Sequence, residues 1–581
     1  MSKYIFVAGG VMSGVGKGIA AASIGKILQS RGFKITTIKI DPYVNVDAGT
    51  MSPTEHGEVF VLDDGKECDQ DMGNYERFLD QELSSFNYMT TGSVYQAVIN
   101  RERNLGYDGR CVEVVPHIPL EVIEIINRAA LKNRVDIVIT EIGGTVGEYQ
   151  NILFLEAIRM LKIKKPRDVL LILVSYLPAQ SSKAELKTKP TQYAVRTLNS
   201  AGLQPDIVIA RASVSLDKKR KEKISFNCNL QEKDVISAPD VESIYEVPIN
   251  FEKDNLSDLI LEKLELRARG RDLSRWQQLV RNIRRVAKPV RIGIVGKYFS
   301  TGEFILADSY ISVIEAVKHV AYGFHKKPEI QWLNAEEFEK NPEQLRQLSS
   351  YQGIIIPGGF GSRGTEGKIA AIGYCRQKKI PFLGLCYGMQ LAVVEFARSV
   401  GGLKKAQTTE IDPQTPHPVI DILPEQKKNL LENNYGATMR LGAYPAVIKT
   451  NTIARKAYQN SSFAVKNQKT RKNLGLISRD LLIFERHRHR FEVNPRYIEI
   501  LEKKGLVFSG FSPDRHLMEI MELPQSTHPF FVGTQFHPEF KSRPLSPHPL
   551  FKEFIKAALQ NSKIKYRSVA KAMERRRQKS K

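Results

Sequence analysis

The alternation of strand-like and helical segments along almost the whole chain is the feature that most constrains its fold. YIFVAGG (4–10) precedes a helical pattern at about 18–30, and KITTIKID (34–41) follows that pattern. VDIVITEIGG (135–144), LLILVSYL (170–177) and PDIVIARA (205–212) are later strand-like segments. This rhythm predicts an α/β fold with a doubly wound parallel sheet, in which ligands bind beyond the carboxyl ends of the strands.

A basic helical stretch separates two series of this kind. It reads ARGRDLSRWQQLVRNIRRVAKPV and occupies 268–290. The strand-like VRIGIVGKY then begins a second alternation, in which GIIIPGG (353–359) and PFLGLC (381–386) are later strands. We predict a first domain at 1–267, a linker at 268–290, a second domain at 291–560 and a basic tail at 561–581.

Composition excludes several classes of protein. The 581 residues are 42% hydrophobic and 26% charged, with no apolar run of membrane-spanning length, and we expect no export signal. Five scattered cysteines without a CxxC pair argue against a disulfide framework or a zinc site and suit a cytoplasmic protein.

The net charge of +23 suits solvated basic faces, pockets for polyanions or a nucleic-acid surface. We expect the basic tail to be a disordered or partly helical segment rather than a nucleic-acid contact.

The segment GGVMSGVGKG (9–18) joins the first strand to the first helix and predicts a phosphate site. Its glycines let backbone N–H groups approach a phosphate, and Lys17 adds a positive charge. The match to a standard P-loop is imperfect, because five residues separate Gly10 from Gly16 and Gly18 replaces the Ser or Thr that would bind Mg²⁺. A tight turn with a surface lysine is the alternative.

Carboxylates would have to hold a metal that Gly18 cannot bind. Asp71, in CDQDMGNYERF, and Glu141, near the end of a predicted strand, can supply oxygen ligands, with ATP phosphates as the others. KTKPTQ (187–192) is a further basic segment, which we expect to be extended, so that Lys187 and Lys189 point to one side. It is either a solvated loop or a second anion site.

IPFLGLCYGMQLAVVEFA (380–397) places Cys386 on a strand-to-helix turn between glycines. A helix N-terminus lowers the pKa of a thiol, and QFHPEF (535–540) offers His537 as a base with Glu539 to orient it. In an extended segment these two side chains face the same way. The amides of Tyr387 and Gly359 could bind an oxyanion. A lone cysteine is more often a core residue, but the three motifs together indicate a nucleophile.

These motifs resemble two known families. GLCYGMQ, PGGFG and HPEF resemble class I glutamine amidotransferases, which release ammonia from glutamine. KYIFVAGGVMSGVGKG, KIDPYVNVDAGTMSPTEHGEVFV, EIGGTVG, KTKPTQ and ERHRHRFEVN resemble the CTP synthase family. The resemblance covers about 1–270 and 291–555. It implies an N-terminal P-loop (dethiobiotin synthetase-like) amidoligase and a C-terminal flavodoxin-like amidotransferase, which together make CTP from UTP, ATP and glutamine through a 4-phosphoryl intermediate.

The resemblance also implies site residues, matched motif by motif. ATP would contact Ser13, Gly14, Val15, Gly16, Lys17, Gly18 and Asp71, and Mg²⁺ would be held by Asp71 and Glu141. UTP, and CTP at an overlapping site, would contact Ser13, Glu148, Tyr149, Gln150, Lys187, Thr188, Lys189, Pro190, Thr191, Gln192 and Lys223. Glutamine would contact Gly359, Tyr387, Gly388, Met389, Gln390, Glu410 and Arg490. Lys17 and Lys39 would serve phosphoryl transfer, and His56 and Val59 would gate an ammonia tunnel.

The family further implies feedback inhibition by CTP, activation by GTP, and homotetramers that can stack into filaments. Asn104 replaces an arginine of the family's pattern in the loop 101–110, a change that bears on activation by GTP. Where the family usually has an Asp-Ile-Glu-like triplet, this chain has Glu148-Tyr149-Gln150, and Asn227 precedes Cys228. Weaker CTP inhibition is therefore expected. Two other classes stay open: an amidoligase of the cobyrinic acid diamide synthase type, and a nucleotide-regulated filament or nucleic-acid-binding scaffold without enzymatic activity.

Overall fold

The computed structural model describes residues 2–180, 185–296, 300–301, 304–305, 307–359, 361–422, 439–477 and 480–561. The chain forms two compact units. The first comprises residues up to Thr50 and Cys68–Arg281, and the second comprises Met51–Glu67 and the residues from Asn282 onward. The division after Arg281 falls within a helix, Ser274–Arg284, in the stretch predicted as a linker. Apart from residue 561, the predicted basic tail lies outside the described residues.

A seven-stranded parallel sheet forms the centre of the first unit. Its strands in chain order are β1 (Lys3–Gly9), β2 (Ile35–Asp41), β3 (Tyr88–Thr90), β4 (Ile137–Ile142), β5 (Val169–Tyr176), β6 (Ile207–Ala212) and β7 (Val235–Pro239). The order across the sheet is β7-β6-β5-β1-β4-β2-β3. β1 and β4 are neighbours, so the loops after them meet at one edge of the sheet.

Helices follow most strands of the first unit, as the alternating sequence predicts. They are Lys17–Ser30, Asp71–Leu79, Thr91–Arg103, Val114–Asn133, Ile152–Lys164, Lys189–Ser200, Lys218–Asn227, Val247–Lys253 and Leu256–Lys263. All seven residues of β2 are buried, as expected for a central strand with both faces covered.

The second unit contains a nine-stranded mixed sheet. Its strands are β8 (Lys288–Gly296), β9 (Lys326–Asn334), β10 (Gly353–Ile356), β11 (Phe382–Leu385), β12 (Arg440–Ile448), β13 (Leu481–His489), β14 (Val507–Phe511), β15 (Met518–Glu522) and β16 (Phe531–Thr534). The order is β9-β8-β10-β11-β16-β15-β14-β12-β13. In this order, neighbouring strands from β9 across to β16 are parallel, and those from β16 across to β13 are antiparallel. The βα pattern did not predict the antiparallel part of the sheet.

The helices of the second unit cover both faces of the parallel part of its sheet. They include Pro53–His56, Ile311–Gly323, Ala335–Lys340, Thr365–Lys378, Tyr387–Ser399, Ile453–Tyr458, Gln468–Asn473, Pro495–Lys503 and 549–561. One apolar cluster lies on each face, one of them including Phe382 and the other Leu383. The predicted α/β class is confirmed for both units. Within the described parts of the chain, no helix is both long and apolar enough to cross a membrane.

Candidate active site

The loop between β1 and the first helix has the conformation of a phosphate-binding turn. Gly14 and Gly16 have φ of 70° and 89°, which glycine adopts without strain. Lys17 is the first residue of the helix, and its Nζ donates to Gly144 O at 2.8 Å, in the loop after β4. Burial lowers the pKa of Lys17. Ser13 and Gly14 are exposed, so a ligand can reach the backbone of the loop. Lys17 is buried beside it and supplies one positive charge.

Lys39 lies among three carboxylates near the end of β2. Its Nζ is 3.0 Å from Glu141 Oε1 and 3.7 Å from Asp41 Oδ1, and it also pairs with Asp71. Burial alone would lower the pKa of Lys39, but the carboxylates outweigh it and hold that pKa well above its usual value. Burial raises the pKa of Asp71 to about 6, against the opposing effect of Lys39. The hydroxyl of Tyr75 donates to Glu141, which fixes that side chain.

Asp71 and Glu141 fit a magnesium site that nucleotide phosphates complete. A Cβ on Gly18 would come within 2.3 Å of Asp71 Oδ1, so glycine at this position leaves room for the carboxylate beside the loop. In the described part of the chain, no group of three or more His, Cys, Asp or Glu side chains could hold a metal by itself. Mg²⁺ commonly takes one or two protein carboxylates and completes its shell with phosphates and water. The donor set therefore suits Mg²⁺ bound with ATP.

A cavity of about 310 Å³ lies beside this loop and was not predicted from the sequence. It is lined mainly by Gly16, Ile19, Arg211, Ala238, Asp240 and Val241. Arg211 connects the cavity to the loop, because its guanidinium donates to Val15 O at 3.1 Å and pairs with Asp240 at 2.6 Å. Arg211 lies near the end of β6 and Asp240 directly follows β7. Their place at the carboxyl ends of parallel strands was the signal that could have identified them.

The segment 187–192 is not extended, so the predicted alignment of Lys187 with Lys189 is wrong. Thr188 has helical φ and ψ, and Lys189 begins the helix Lys189–Ser200, with Pro190 in its first turn where no N–H is needed. Lys189 is exposed, whereas Thr191 and Gln192 are buried, and Thr191 hydrogen-bonds Ser175 at 2.8 Å. The segment therefore presents a helix N-terminus.

The other residues matched to the nucleotide site lie at the surface of the first unit. Tyr149 is 91% exposed. Gln150 Nε2 donates to Glu148 Oε2 at 2.8 Å, and Lys223 is exposed on the helix Lys218–Asn227.

Cys386 lies on a sharp turn between β11 and the helix Tyr387–Ser399. Its φ of 51° and ψ of −104° are unusual for a residue with a side chain, and its N–H donates to Thr534 O at 2.6 Å. A Cβ on Gly388 would come within 2.1 Å of Ile356 O, so only glycine lets the helix start this close to β10. The predicted strand-to-helix turn at Cys386 is therefore present, and such strained turns are common at active sites.

His537 and Glu539 form a hydrogen-bonded pair next to this turn. His537 Nδ1 is 2.8 Å from Glu539 Oε1, and both side chains are buried. The segment is not the extended one that was predicted; a 3₁₀ turn, Pro538–Lys541, brings the side chains together. Burial acts to lower the pKa of His537, but Glu539 and Cys386 outweigh it and raise that pKa to about 10. The imidazole is thus held by a carboxylate and lies close to the thiol.

The residues matched to glutamine binding lie around this turn, with different environments. The Tyr387 hydroxyl hydrogen-bonds Thr365 Oγ1 at 3.0 Å, and Met389 is fully buried. Gln390 Nε2 donates to Phe491 O at 2.8 Å. Glu410 Oε1 accepts the Gly361 N–H at 2.7 Å, beside the glycine loop that contains Gly359. Arg490 is half-buried and directly follows β13.

The two residues matched to an ammonia gate, His56 and Val59, belong to the second unit. His56 ends a short helix, Pro53–His56, and is exposed, whereas Val59 is 6% exposed. The adjacent Glu58 carboxylate accepts the Ser312 N–H at 3.2 Å, which ties this segment to the start of the helix Ile311–Gly323. The sequence did not predict that Met51–Glu67 packs with residues from Asn282 onward.

Two family models match successive parts of the chain. Residues 3–266 match the family model described as CTP synthase N-terminus, and residues 305–557 match Glutamine amidotransferase class-I. The chain is 50% identical to a CTP synthase of Thermococcus gammatolerans over 96% of this chain and 99% of that one. It is also 50% identical to a CTP synthase of Carboxydothermus hydrogenoformans, over 97% and 100%. A solved glutaminase domain of Trypanosoma brucei CTPS with bound acivicin is 34% identical over 47% of this chain and 94% of that one, with a TM-score of 0.40. The chain therefore belongs to the CTP synthase family and is a glutamine-hydrolysing ligase that uses ATP to convert UTP to CTP.

Proposed function

We propose that residues 1–267 carry out the synthase reaction in two steps. The γ-phosphoryl group of ATP is transferred to O4 of the uracil ring, and ammonia then displaces phosphate at C4. Lys17, at the helix N-terminus, and Lys39, among the carboxylates, supply positive charge where phosphoryl charge develops. Asp71 and Glu141 would hold Mg²⁺, which neutralises phosphate charge when bound.

The 310 Å³ cavity beside the loop is the proposed site for the adenine base. Its walls are partly apolar, with Ile19 and Val241, while Asp240 and the neighbouring backbone can accept and donate hydrogen bonds. The exposed helix start at Lys189, with Lys187 and Lys223, is the proposed contact for the UTP phosphates. A helix N-terminus with nearby lysines favours an anion.

Residues 291–560 are proposed to hydrolyse glutamine through a Cys386-His537-Glu539 triad. His537, whose pKa is raised to about 10, takes up the thiol proton and keeps it as the imidazolium, and the sulfur attacks the carboxamide carbon of glutamine. The imidazolium returns the proton to the departing ammonia, and water then hydrolyses the thioester. Glu539 holds the imidazole through the 2.8 Å hydrogen bond to Nδ1, which leaves Nε2 for the thiol.

The oxyanion of this reaction would be bound by the amides of Tyr387 and Gly359. The first amides of a helix have no partner within the helix, so the N–H of Tyr387 suits this role. Gly388, Met389, Gln390, Glu410 and Arg490 complete the proposed glutamine site. Ammonia would pass His56 and Val59 on its way to UTP.

Regulation and assembly stay predictions from the family resemblance. They are activation by GTP, feedback inhibition by CTP at a site overlapping that of UTP, and homotetramers that can form filaments. A cytoplasmic location is proposed from the scattered cysteines, and a linker at 268–290 from the basic helical stretch there. Nucleic acid is not expected as a partner.

The observation that carries the proposed mechanism is the His537–Glu539 pair beside a thiol on a strained turn. The test is CTP formation from UTP, ATP and Mg²⁺, measured in parallel with glutamine and with ammonium. Formation with both nitrogen sources supports the two-site scheme. Formation with ammonium alone would contradict the proposed glutaminase, and formation with neither would contradict the proposed phosphoryl-transfer residues.

A further inference from the structure

Strand β13 has an unusual sequence, in which arginine and histidine alternate from Arg486 to His489. Alternate side chains of a strand point to opposite faces. The histidines enter a buried polar cluster, where His487 Nε2 is 2.6 Å from Glu519 and His489 Nε2 is 2.7 Å from Glu492. The arginines, Arg486 and Arg488, point to the other face and contact the segment 58–67.

Two acidic residues of that segment neutralise the two arginines. Asp63 pairs with Arg486, whose side chain is fully buried, and Arg486 Nη1 also donates to Val61 O at 3.1 Å. Glu67 Oε1 accepts Arg488 Nε at 2.8 Å. Lys541, two residues after Glu539, also lies 3.4 Å from Asp63 Oδ2. A buried guanidinium without a partner is costly, so these acids fix where the arginines lie.

The backbone of the same two arginines holds the proposed catalytic groups. The His537 N–H donates to Arg486 O at 2.8 Å, and the Cys386 thiol donates to Arg488 O at 3.7 Å. In the described part of the chain β13 lies at the edge of its sheet, so one side of the strand is not paired with another strand. Its carbonyls are therefore available to hold the triad.

An aromatic stack makes a second connection between the same segments. The ring of His537 stacks on Phe540 with centroids 5.0 Å apart and planes at 15°. Phe540 packs edge-on against Phe60, also at 5.0 Å. Phe60 directly follows Val59 in the chain. Residues 60–67 therefore contact two residues that hold His537 in place. Asp63 pairs with Arg486, and Phe60 packs against Phe540.

We propose that Asp63 and Glu67 are positioning residues for the glutaminase reaction, acting on His537 and Cys386 through Arg486 and Arg488. The proposal rests on the triad assigned above. The chain leaves the first unit after Thr50 and returns to it at Cys68, so the positioning segment is covalently continuous with the synthase at both ends. Ammonia release would then depend on whether this segment is in place.

The test compares Asp63→Asn and Glu67→Gln with Asp64→Asn in the full-length enzyme. Asp64 is exposed on the same turn and makes the matched charge change. We expect the two test variants to lower kcat for glutamine hydrolysis by about 10- to 100-fold, as for a misplacement of about 1 Å, with little change in KM. The rate of Cys386 alkylation by iodoacetamide should fall in parallel. Ammonium-dependent CTP formation should match the control. The thermal unfolding midpoint should fall for Asp63→Asn, which removes the carboxylate beside the buried Arg486, and should change little for Glu67→Gln.

Several outcomes would overturn the proposal. They are wild-type glutaminase kinetics in both variants, an equal loss in Asp64→Asn, or a loss confined to KM. Glu67→Gln is the milder change, since Arg488 is partly exposed, and it keeps the test decisive if Asp63→Asn unfolds. Cys386→Ala distinguishes failure of the proposed triad from failure of the positioning role. If that variant still hydrolyses glutamine, the triad itself is wrong; if it does not and the test variants are normal, only the positioning role fails.

Discussion

The carboxylate of Asp71 lies so close to Gly18 that a Cβ at position 18 would come within 2.3 Å of Asp71 Oδ1. The glycine that breaks the standard P-loop pattern is therefore explained by its neighbour. A side chain at position 18 would displace the carboxylate, which pairs with Lys39. The metal ligand that a P-loop takes from the helix start is supplied here, in our proposal, by Asp71.

Gly18→Ala should lower ammonium-dependent CTP formation by about 10- to 100-fold, because it misplaces Asp71 relative to the phosphates. Its apparent affinity for Mg²⁺ should fall as well. Gly270→Ala is the control, since the nearest atom to a Cβ there is Ser30 O at 4.0 Å. Steady-state rates at varied Mg²⁺ measure the effect. Equal rates in wild type and Gly18→Ala would argue against a metal role for Asp71.

Lys17→Ala should reduce CTP formation by about 10²- to 10³-fold with either nitrogen source, as expected for loss of one charged group that stabilises a transition state. Lys164→Ala is a suitable control, because Lys164 is an exposed lysine at the end of a helix of the same unit. Initial rates with glutamine and with ammonium give the comparison. Near-normal turnover with ammonium would reject a phosphate role for Lys17.

Cys386→Ala should abolish CTP formation from glutamine, by about 10³-fold or more, since the nucleophile of a covalent mechanism is lost. Formation from ammonium should be retained, because the synthase reaction does not use the thiol. Cys375→Ala controls for loss of a buried thiol from the same unit, as Cys375 is fully buried and lies in the core. Loss of both activities in Cys386→Ala would contradict the division of labour between the units.

The stability of the protein should depend on pH through His537. Its pKa is raised from 6.5 to about 10 in the folded protein, where Glu539 and Cys386 outweigh burial. A raised folded-state pKa contributes stability that is fully present below about 6.5 and is lost as the pH rises through about 10. Thermal unfolding midpoints should therefore decrease over this range more steeply for wild type than for His537→Gln. Parallel slopes would show that His537 does not carry the effect.

The elements that the sequence predicted are those set by local pattern. β2 ends at Asp41, the first helix begins at Lys17, and Cys386 lies on a strand-to-helix turn, because apolar periodicity and glycine spacing are local signals. The comparisons confirm the family resemblance. They rule out both alternatives, the amidoligase of the cobyrinic acid diamide synthase type and the scaffold without enzymatic activity.

What could not be predicted depends on contacts between residues distant in sequence. Asp63 meets Arg486 across more than 400 positions, and no periodicity signals such a pair. The cavity beside Arg211 depends in the same way on three strand ends meeting. Two local errors had one cause: the segments at Lys189 and at His537 were read as extended, whereas proline starts a helical turn in each.

The surface residues Glu148, Tyr149 and Gln150 lead to the last prediction, on feedback inhibition. Tyr149 is 91% exposed, and Gln150 donates to Glu148 at 2.8 Å, an arrangement that an Asp-Ile-Glu triplet would change. We expect inhibition by CTP to be weaker than in relatives with the usual triplet. Replacing the three residues together (Glu148→Asp, Tyr149→Ile, Gln150→Glu) should tighten inhibition by about tenfold, equivalent to roughly 1.4 kcal/mol.

The measurement is the CTP concentration that halves the ammonium-dependent rate at fixed UTP, which avoids any effect on glutamine hydrolysis. Ile152→Val, at an exposed position just after the triplet, controls for general changes to this surface. The KM for UTP should change less than the inhibition constant for CTP if the triplet contacts the part of CTP that UTP does not share. Tight inhibition of the unaltered enzyme, competitive with UTP, would show that Glu148-Tyr149-Gln150 supports the feedback site as well as the usual residues do.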